Sequence, residues 1–260
     1  MDNDKLLEAL RTIALQAGRE VAGVYAQDFA VRGKADASPV TEADERAEAV
    51  IVPALRALAP QWAIVAEEAV AAAGVPACGD RFWLVDPLDG TREFVGRNGE
   101  FTVNIALVED GVPVAGVVHA PALGWLCLGA AGAGAWMEDA AGRRAVRCRA
   151  LPAAGATVLA SRSHGDESAL QAFVAGRRCA AIRRLGSSLK LALLAAGDAD
   201  AYPRFGPTMG WDIAAGHAVL AAAGGEVVDR QGQPLRYRPP FENPAFVAGS
   251  ADGLRWAGWS

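Results

Sequence analysis

Lysine is nearly missing from this chain: Lys5, Lys34 and Lys190 are the only ones among 25 basic residues, and the rest are arginine. Acidic residues outnumber basic ones, leaving a net charge of −5. That balance excludes an extended groove for nucleic acid and gives no grip on an anionic membrane surface. A small anionic substrate would have to be met by local positive charge or by a metal ion. Cysteine is sparse as well. Cys78, Cys127, Cys148 and Cys179 stand far apart with no CxxC pair, which argues against a zinc ribbon or a redox dithiol. Scattered thiols fit a reducing cytoplasm, and the acidic opening Met1-Asp2-Asn3-Asp4 is unlike a basic export leader, so a cytoplasmic location is expected.

Two further absences narrow the chemistry. There is no Gly-x-Ser-x-Gly elbow for a serine hydrolase, and Gly132-Ala133-Gly134 lacks the third glycine of a dinucleotide-binding turn. From Gly111 to Met137 the chain has no Asp, Glu, Lys or Arg, enough to span a bilayer by length. Six glycines, two prolines and His119 interrupt it, and its apolar residues come in short bursts, so buried sheet is expected instead. A composition of 52% hydrophobic and 21% charged residues over 260 positions supports a folded chain of one large or two small domains.

Residues Asp4 to Tyr25 place Leu6, Leu7, Leu10, Ile13, Ala14, Ala17, Val21 and Val24 on one helical face. A second helix is expected from Thr41 toward Leu58, kinked or restarted at Pro53. Trp62 to Ala66 and Phe82 to Val85 read as buried strands. Phe101 to Val108 and Val112 to His119 flank the hairpin signal Glu109-Asp110-Gly111, with another strand near Trp125 and a turn at Glu138 to Gly142. After about Leu151 strands and helices alternate. Strands at Thr157 to Ala160, Ile182 to Leu185 and Ala201 to Phe205 precede helices from Asp166, from Ser187 to Ala196 and from Trp211 to Ala223. The expected organisation is an α+β half over 1–150 with a largely antiparallel sheet, then an α/β half over 151–260.

The most informative run is Trp83-Leu84-Val85-Asp86-Pro87-Leu88-Asp89-Gly90-Thr91. An apolar strand ends in Asp86, a proline stiffens the exit, a second carboxylate follows, and Gly90 frees the backbone to turn. Two carboxylates with a main-chain carbonyl between them are hard oxygen ligands suited to Mg²⁺. Backbone N–H groups around Gly90 and Thr91 could face a phosphate if a helix begins there. The plain alternative is an Asp-Pro turn followed by an Asp-Gly turn. Other acids stand at element ends. Glu67 and Glu68 follow a strand and also read as a loop end. Asp44, three residues after Thr41, also reads as a capping box, and Asp212 as an N-cap. If these carboxylates converge, two charges about 4 Å apart repel by roughly 4 kcal/mol at an effective dielectric near 20, which divalent cations would offset.

With Glu67-Glu68, Asp86-Pro-Leu-Asp89-Gly-Thr91 and Trp211-Asp212-x-Ala-Ala-Gly216 in place, the chain resembles the inositol monophosphatase superfamily of lithium-sensitive phosphatases. Within it the chain is most similar to the bacterial 3′(2′),5′-bisphosphate nucleotidase branch, of CysQ type. That likeness lies in Lys34-x-Asp36-x-Ser38-Pro39-Val40-Thr41, Arg92-Glu93-Phe94, Asn98 to Asn104, Ser161-Arg162-Ser163-His164, Gly186-Ser187-Ser188-Leu189-Lys190 and Tyr202 to Thr208. Two of the three lysines fall within these blocks.

The resemblance implies a layered αβαβα sandwich, with α+β and α/β parts. It implies Mg²⁺-dependent removal of the 3′-phosphate from 3′-phosphoadenosine 5′-phosphate, to give AMP and phosphate. Glu67, Asp86 and the Leu88 carbonyl would hold one Mg²⁺, and Asp86, Asp89 and Asp212 a second. Thr91 and Glu67 would orient and deprotonate the attacking water, with Asp44 assisting through a third, weaker metal or a water. Leu88, Asp89, Gly90 and Thr91 would hold the scissile phosphate beside Glu67 and Asp212. His164, Ser187, Lys190 and Arg204 would meet the rest of the substrate. A loose association with the inner face of the inner membrane is compatible with the resemblance. Position 66 is Ala where Ser or Gly is usual, position 92 is Arg instead of Lys, and His119 often corresponds to Tyr. The rival readings are an inositol monophosphatase of relaxed specificity and a non-catalytic binding protein on the same fold. A haloacid-dehalogenase-type phosphatase would carry its aspartates two apart on the first strand, unlike Asp86 and Asp89.

Overall fold

The first apolar stripe folds as helix α1 (Asn3–Tyr25), and all eight stripe residues are buried. The computed structural model describes residues 2–33, 39–163 and 165–259. Short strands β1 (Val31–Gly33) and β2 (Pro39–Thr41) pair antiparallel ahead of α2 (Glu42–Leu58), which runs through Pro53 as one helix with no restart. Next come β3 (Ala63–Ala66), α3 (Glu67–Ala73), β4 (Arg81–Asp89) and α4 (Thr91–Val95). Strands β5 (Thr102–Glu109), β6 (Val112–Ala120), β7 (Trp125–Ala130), β8 (Gly134–Asp139) and β9 (Gly142–Val146) complete a sheet in the order β3-β4-β5-β6-β7-β8-β9. Only β3 runs parallel to its neighbour; every other pairing is antiparallel. The β5–β6 turn has φ of 53° at Asp110 and 77° at Gly111, the doubly left-handed geometry that matches strand twist. The charge-free run from Gly111 therefore folds as β6, β7 and part of β8. No helix of the described residues is long and apolar enough to cross a membrane.

A second sheet follows from β10 (Ala156–Ser161), α5 (Glu167–Val174), β11 (Cys179–Leu185), α6 (Leu189–Ala195) and β12 (Ala201–Arg204). The two-residue β13 (Thr208–Met209) leads into α7 (Gly210–Ala222). After β14 (Gly225–Asp229), β15 (Glu242–Asn243) pairs back onto β13, and β16 (Phe246–Ser250) and α8 (Ala251–Ala257) end the fold. Sheet order is β11-β10-β12-β16-β14, with β10 parallel to β11 and β12, and β16 antiparallel to β12 and β14. The helix expected from Ser187 begins two residues later, because Ser187 has φ 44°, outside the right-handed helical range. Helices α3 and α8 and strands β14 and β16 were not expected from the sequence; the helices have seven residues and the strands five, about two periods each, too few for the pattern to stand out.

Three apolar clusters stack these elements into α–β–α–β–α layers. Trp83, Val85, Ile105 and Val117 face α1 and α2. The alternate residues Phe82, Leu84, Ala106 and Val118 face the central helices, represented by Leu191, Ile213, Ala214 and Val219, which also meet Leu159, Tyr202 and Phe246 of the second sheet. Val158 and Val247 face outward onto Leu170, Phe173 and Leu254 of α5 and α8. A strand buried on both faces reads as an unbroken apolar run, which is why β4 shows no alternation. Close approach fixes α7 against the first sheet. A Cβ at Gly116 would sit 2.5 Å from the Ala215 carbonyl, and one at Gly216 2.6 Å from Leu191. This clamp sets the N-terminus of α7 over the end of β4.

The outer strands of the two sheets are treated in different ways. β9 and β11 each carry an exposed arginine pair, Arg143-Arg144 and Arg183-Arg184. The free side of β14 is covered by the return of its own chain, through Leu235 N–H to Val227 O and Asp229 N–H to Gln233 O. β3 has only four residues.

Inside α7, His217 is buried and its Nδ1 lies 2.9 Å from the Tyr237 hydroxyl. Burial, with a smaller push from Arg236, lowers its pKa to about 3 from an ordinary 6.5. Above pH 6.5 neither the folded nor the unfolded chain protonates this ring. As pH falls below that value the unfolded chain gains a proton that the folded one refuses, so stability drops until about pH 3. Between pH 7 and pH 5 this costs about 2 kcal/mol. His217→Asn is expected to shrink the loss of unfolding free energy between those pH values by about that amount, as measured by urea unfolding of both chains.

Candidate metal-dependent active site

The end of β4 is irregular, and the irregularity places two carboxylates. Asp86 pairs with Asn104 of β5, but Asp89 pairs with Thr102, so three steps on one strand oppose two on the other. Pro87 lies in the bulge, where it has no ladder N–H to lose. The strand thus continues past Asp86, where its end was expected, to Asp89. Asp86 is buried and its Oδ1 accepts the Leu88 N–H at 3.0 Å. Gly90 then turns with φ 89°, and α4 begins at Thr91.

Glu67 opens a helix, α3, so the pair Glu67-Glu68 is not the loop end that was the plain alternative for it. Asp212, read as an N-cap, lies one turn into α7, and its Oδ2 accepts the Met209 N–H at 2.8 Å. Asp44 closes the capping box that its spacing allowed and also reaches toward Thr91. Its Oδ2 accepts from the Thr41 N–H and Oγ1, both at 2.8 Å, closing a capping box, and its Oδ1 lies 3.5 Å from Thr91 Oγ1. Thr91 Oγ1 is also 3.3 Å from the Leu88 carbonyl.

Oxygens of Glu67, Asp86 and Asp212 come within 4.8 Å of one another. Asp89 borders the same space, with Oδ2 accepting the Ser188 N–H at 2.6 Å. Burial raises the Asp89 carboxyl to about 6, although the Lys190 charge and the Ser188 hydrogen bond pull it down. Burial and then the charges of Asp89 and Glu67 lift Asp212 well above the ordinary range. Three hard oxygen donors in one small space fit a divalent cation in donor type and in charge.

Two cavities meet here. The acidic one, of about 450 Å³, is lined by Glu67, Asp86, Leu88, Asp89, Gly90 and Thr91. A second, of about 330 Å³, holds Lys190, Arg204, Tyr202, Thr208 and Glu242. Asp89, Ser161, Ser187, Met209 and Asp212 line both. The Lys190 ammonium is buried, 5.1 Å from the Tyr202 ring, and donates to the carbonyls of Leu185 (3.2 Å), Gly186 (3.0 Å) and Ser187. Burial brings its pKa down to about 8, against the opposing charge of Asp89. It thus sits behind the 185–187 loop as a fixed charge. Arg204 is buried at the end of β12, with one Nη donating to the Pro207 carbonyl at 2.9 Å. His164 and Lys34 lie outside the described residues. Ser161 and Ser188 were within recognisable blocks but not singled out. Met209 and Glu242 carried no motif, and only the β13–β15 pairing of distant segments brings them to the cavity.

The family model of the inositol monophosphatase family matches residues 2–254. The chain is 46% identical to the 3′(2′),5′-bisphosphate nucleotidase CysQ of Shigella flexneri over 245 residues, 93% of this chain and 98% of that one. Among solved structures, CysQ from Bacteroides thetaiotaomicron superposes with a TM-score of 0.79 at 35% identity, covering 95% of this chain and 97% of that one. An inositol monophosphatase from Thermotoga maritima gives 0.80 at 28% identity, covering 98% and 96%.

The repulsion in this cluster has a measurable consequence. Without metal, Asp212→Asn is expected to melt above wild type at pH 7, because a carboxyl whose pKa is raised on folding costs stability once pH exceeds its unfolded value. Added Mg²⁺ should raise the melting temperature of wild type more than that of the variant. Thermal melts of both chains with chelator and with Mg²⁺ check this, and equal metal-induced shifts would remove Asp212 from the cation site.

Proposed function

The chain belongs to the inositol monophosphatase family, and on that footing we propose that it is a Mg²⁺-dependent 3′(2′),5′-bisphosphate nucleotidase. It takes the 3′-phosphate from 3′-phosphoadenosine 5′-phosphate and releases AMP and phosphate. The observation that carries this reading is the junction of the acidic cavity with the one holding Lys190 and Arg204. One chamber suits a phosphate amid metals, and the adjoining one suits a second phosphate on the same molecule. Residues 1–150 bring most metal ligands and residues 151–260 complete the site. The four cysteines are all free thiols, in keeping with work in the cytoplasm.

Glu67, Asp86 and the Leu88 carbonyl would hold one Mg²⁺, and Asp86, Asp89 and Asp212 a second; a third at Asp44 would be weaker. When bound, the ions would supply Lewis acidity, lowering the pKa of water and offsetting charge on the phosphate. Thr91 Oγ1, placed between the Leu88 carbonyl and Asp44, orients the attacking water. The Glu67 carboxylate takes the water's proton as its oxygen bonds to phosphorus. The bond from phosphorus to the 3′ oxygen breaks on the opposite side, and that oxygen regains a proton from solvent. Backbone N–H groups at Gly90 and Thr91, where α4 begins, face the scissile phosphate. His164, Ser187, Lys190 and Arg204 receive the remainder of the substrate. Lys190 does so through its charge, since its N–H groups serve the loop carbonyls.

The second reading is an inositol monophosphatase of relaxed specificity, since a solved relative bears the name inositol monophosphatase. Comparing kcat/KM for 3′-phosphoadenosine 5′-phosphate and inositol 1-phosphate, with and without Mg²⁺, separates the two. The bisphosphate is expected to win by more than about tenfold, with activity lost in chelator. A preference for inositol 1-phosphate would overturn the proposal. Arg204→Gln is expected to lower kcat/KM for the bisphosphate by about ten- to a hundredfold, since a charge-assisted contact is worth about 1.5–3 kcal/mol. Hydrolysis of 3′-AMP, which has no second phosphate, should fall far less in the same assay.

A further inference from the structure

Ser187 stands on the wall common to both cavities with φ 44°, a left-handed conformation that an L residue keeps only where its surroundings enforce it. Three fastenings do so. Lys190 holds the carbonyls of residues 185–187 from behind. Asp89 takes the Ser188 N–H at 2.6 Å. Glu100 Oε2 takes the Gly186 N–H at 2.7 Å. The third is the one that no phosphatase reading uses.

Glu100 lies between α4 and β5, and the partners of its carboxylate are all far from it in sequence. Beyond Gly186 it binds Arg162 through two parallel bonds, Nε to Oε2 at 2.9 Å and an Nη to Oε1 at 2.6 Å. Arg162 in turn donates its backbone N–H to Leu185 O and its guanidinium to Arg184 O, each at 3.0 Å. One carboxylate therefore ties the end of β10 to the end of β11, and both to the metal-bearing half. The fit around it is close: a Cβ at Gly186 would lie 2.8 Å from the Glu100 carbonyl and 2.5 Å from Glu93 Cγ, and Glu93 itself accepts the Ser163 hydroxyl. Burial opposes ionisation of Glu100, but the hydrogen bonds from Arg162 and Gly186 prevail and keep its carboxyl below the usual range. Arg162 also neutralises a carboxylate that would otherwise face an anion-binding loop with bare negative charge.

We propose that Glu100 is a positioning residue for specificity, clamping Arg162 and the Gly186–Ser188 loop so that the second-phosphate chamber keeps its shape. The inference rests on the bisphosphate reading above. Glu100 itself lines neither cavity; the loop it holds reaches the second chamber through Ser187 and Ser188 and the acidic one through Gly186 and Ser187, so the ratio between a bisphosphate and a monophosphate reports its effect.

The test compares wild type, Glu100→Ala, Glu100→Gln and Arg204→Gln on 3′-phosphoadenosine 5′-phosphate and on 3′-AMP. Glu100→Ala is expected to lower the ratio of the two kcat/KM values by about tenfold, mostly through KM for the bisphosphate. Glu100→Gln retains an acceptor for Gly186 N–H and should recover most of that ratio. If Arg204→Gln changes the ratio and neither Glu100 variant does, the Glu100 inference fails alone. An equal loss on both substrates, or a loss confined to kcat, also overturns it, since that is how a merely structural residue behaves. If even wild type shows no preference for the bisphosphate, the bisphosphate reading falls and this inference with it. Should Glu100→Ala fail to fold, Arg162→Gln carries the comparison, with an expected drop in the ratio of about threefold, and an unchanged ratio overturns the inference.

Discussion

Glu67, Asp86 and Asp212 repel one another across less than 4.8 Å, and Asp89 adds its charge from the side. Nothing in the local sequence of any one of them relieves that repulsion. Each is delivered by a separate device: the first turn of α3, the bulge at the end of β4, and the start of α7. The close seating of α7 on β6 at Gly116 fixes the distance between the last two. Energy stored as like-charge proximity is released by a divalent cation, so the stability of the apoprotein and the readiness of its site are opposed quantities.

The second arrangement that matters is a polar seam between the two sheets. Ser188 Oγ lies 2.7 Å from Asn104 Oδ1 and 2.8 Å from Thr102 Oγ1, all three buried. Together with the Ser188–Asp89 bond, this seam makes the loop after β11 an extension of the β4–β5 edge. Buried polar groups satisfied in this way specify one arrangement, because a slip would leave several without partners. The acidic and basic chambers therefore keep a fixed relation even though different halves of the chain build them.

Much of this was legible in the sequence, and for identifiable reasons. The stripe in α1 and the Asp110-Gly111 turn are local signals, and both folded as read. The run around Asp86 and Asp89 announced a turn between carboxylates, but not that the strand would pass through it as a bulge. The helix at Glu67 was missed because four alanines and a valine after a Glu pair carry no periodic stripe; the helix they form has no buried face. The sequence placed Lys190 in a first helical turn aimed at an anion. A left-handed Ser187 reversed its surroundings, so that its ammonium meets the loop's own carbonyls. Glu100 stood within a recognisable block but had no role there, and Glu242 carried no signal, since long-range pairings bring both to the site.

The treatment of the sheet margins has a bearing on how the protein behaves in a crowded solution. An open strand edge is a template, and any second chain with an unpaired strand can extend it. Here the exposed arginine pairs of β9 and β11 place long charged side chains at the margin, and an incoming strand would have to desolvate them together with their partners Glu8, Asp139 and Glu167. The edge of β14 is already occupied by residues 233–235, and β3 offers only four residues to grip. Neither large sheet can readily be lengthened from outside. Self-templated growth is blocked at its first step, and the scarcity of lysine makes arginine the residue that guards it.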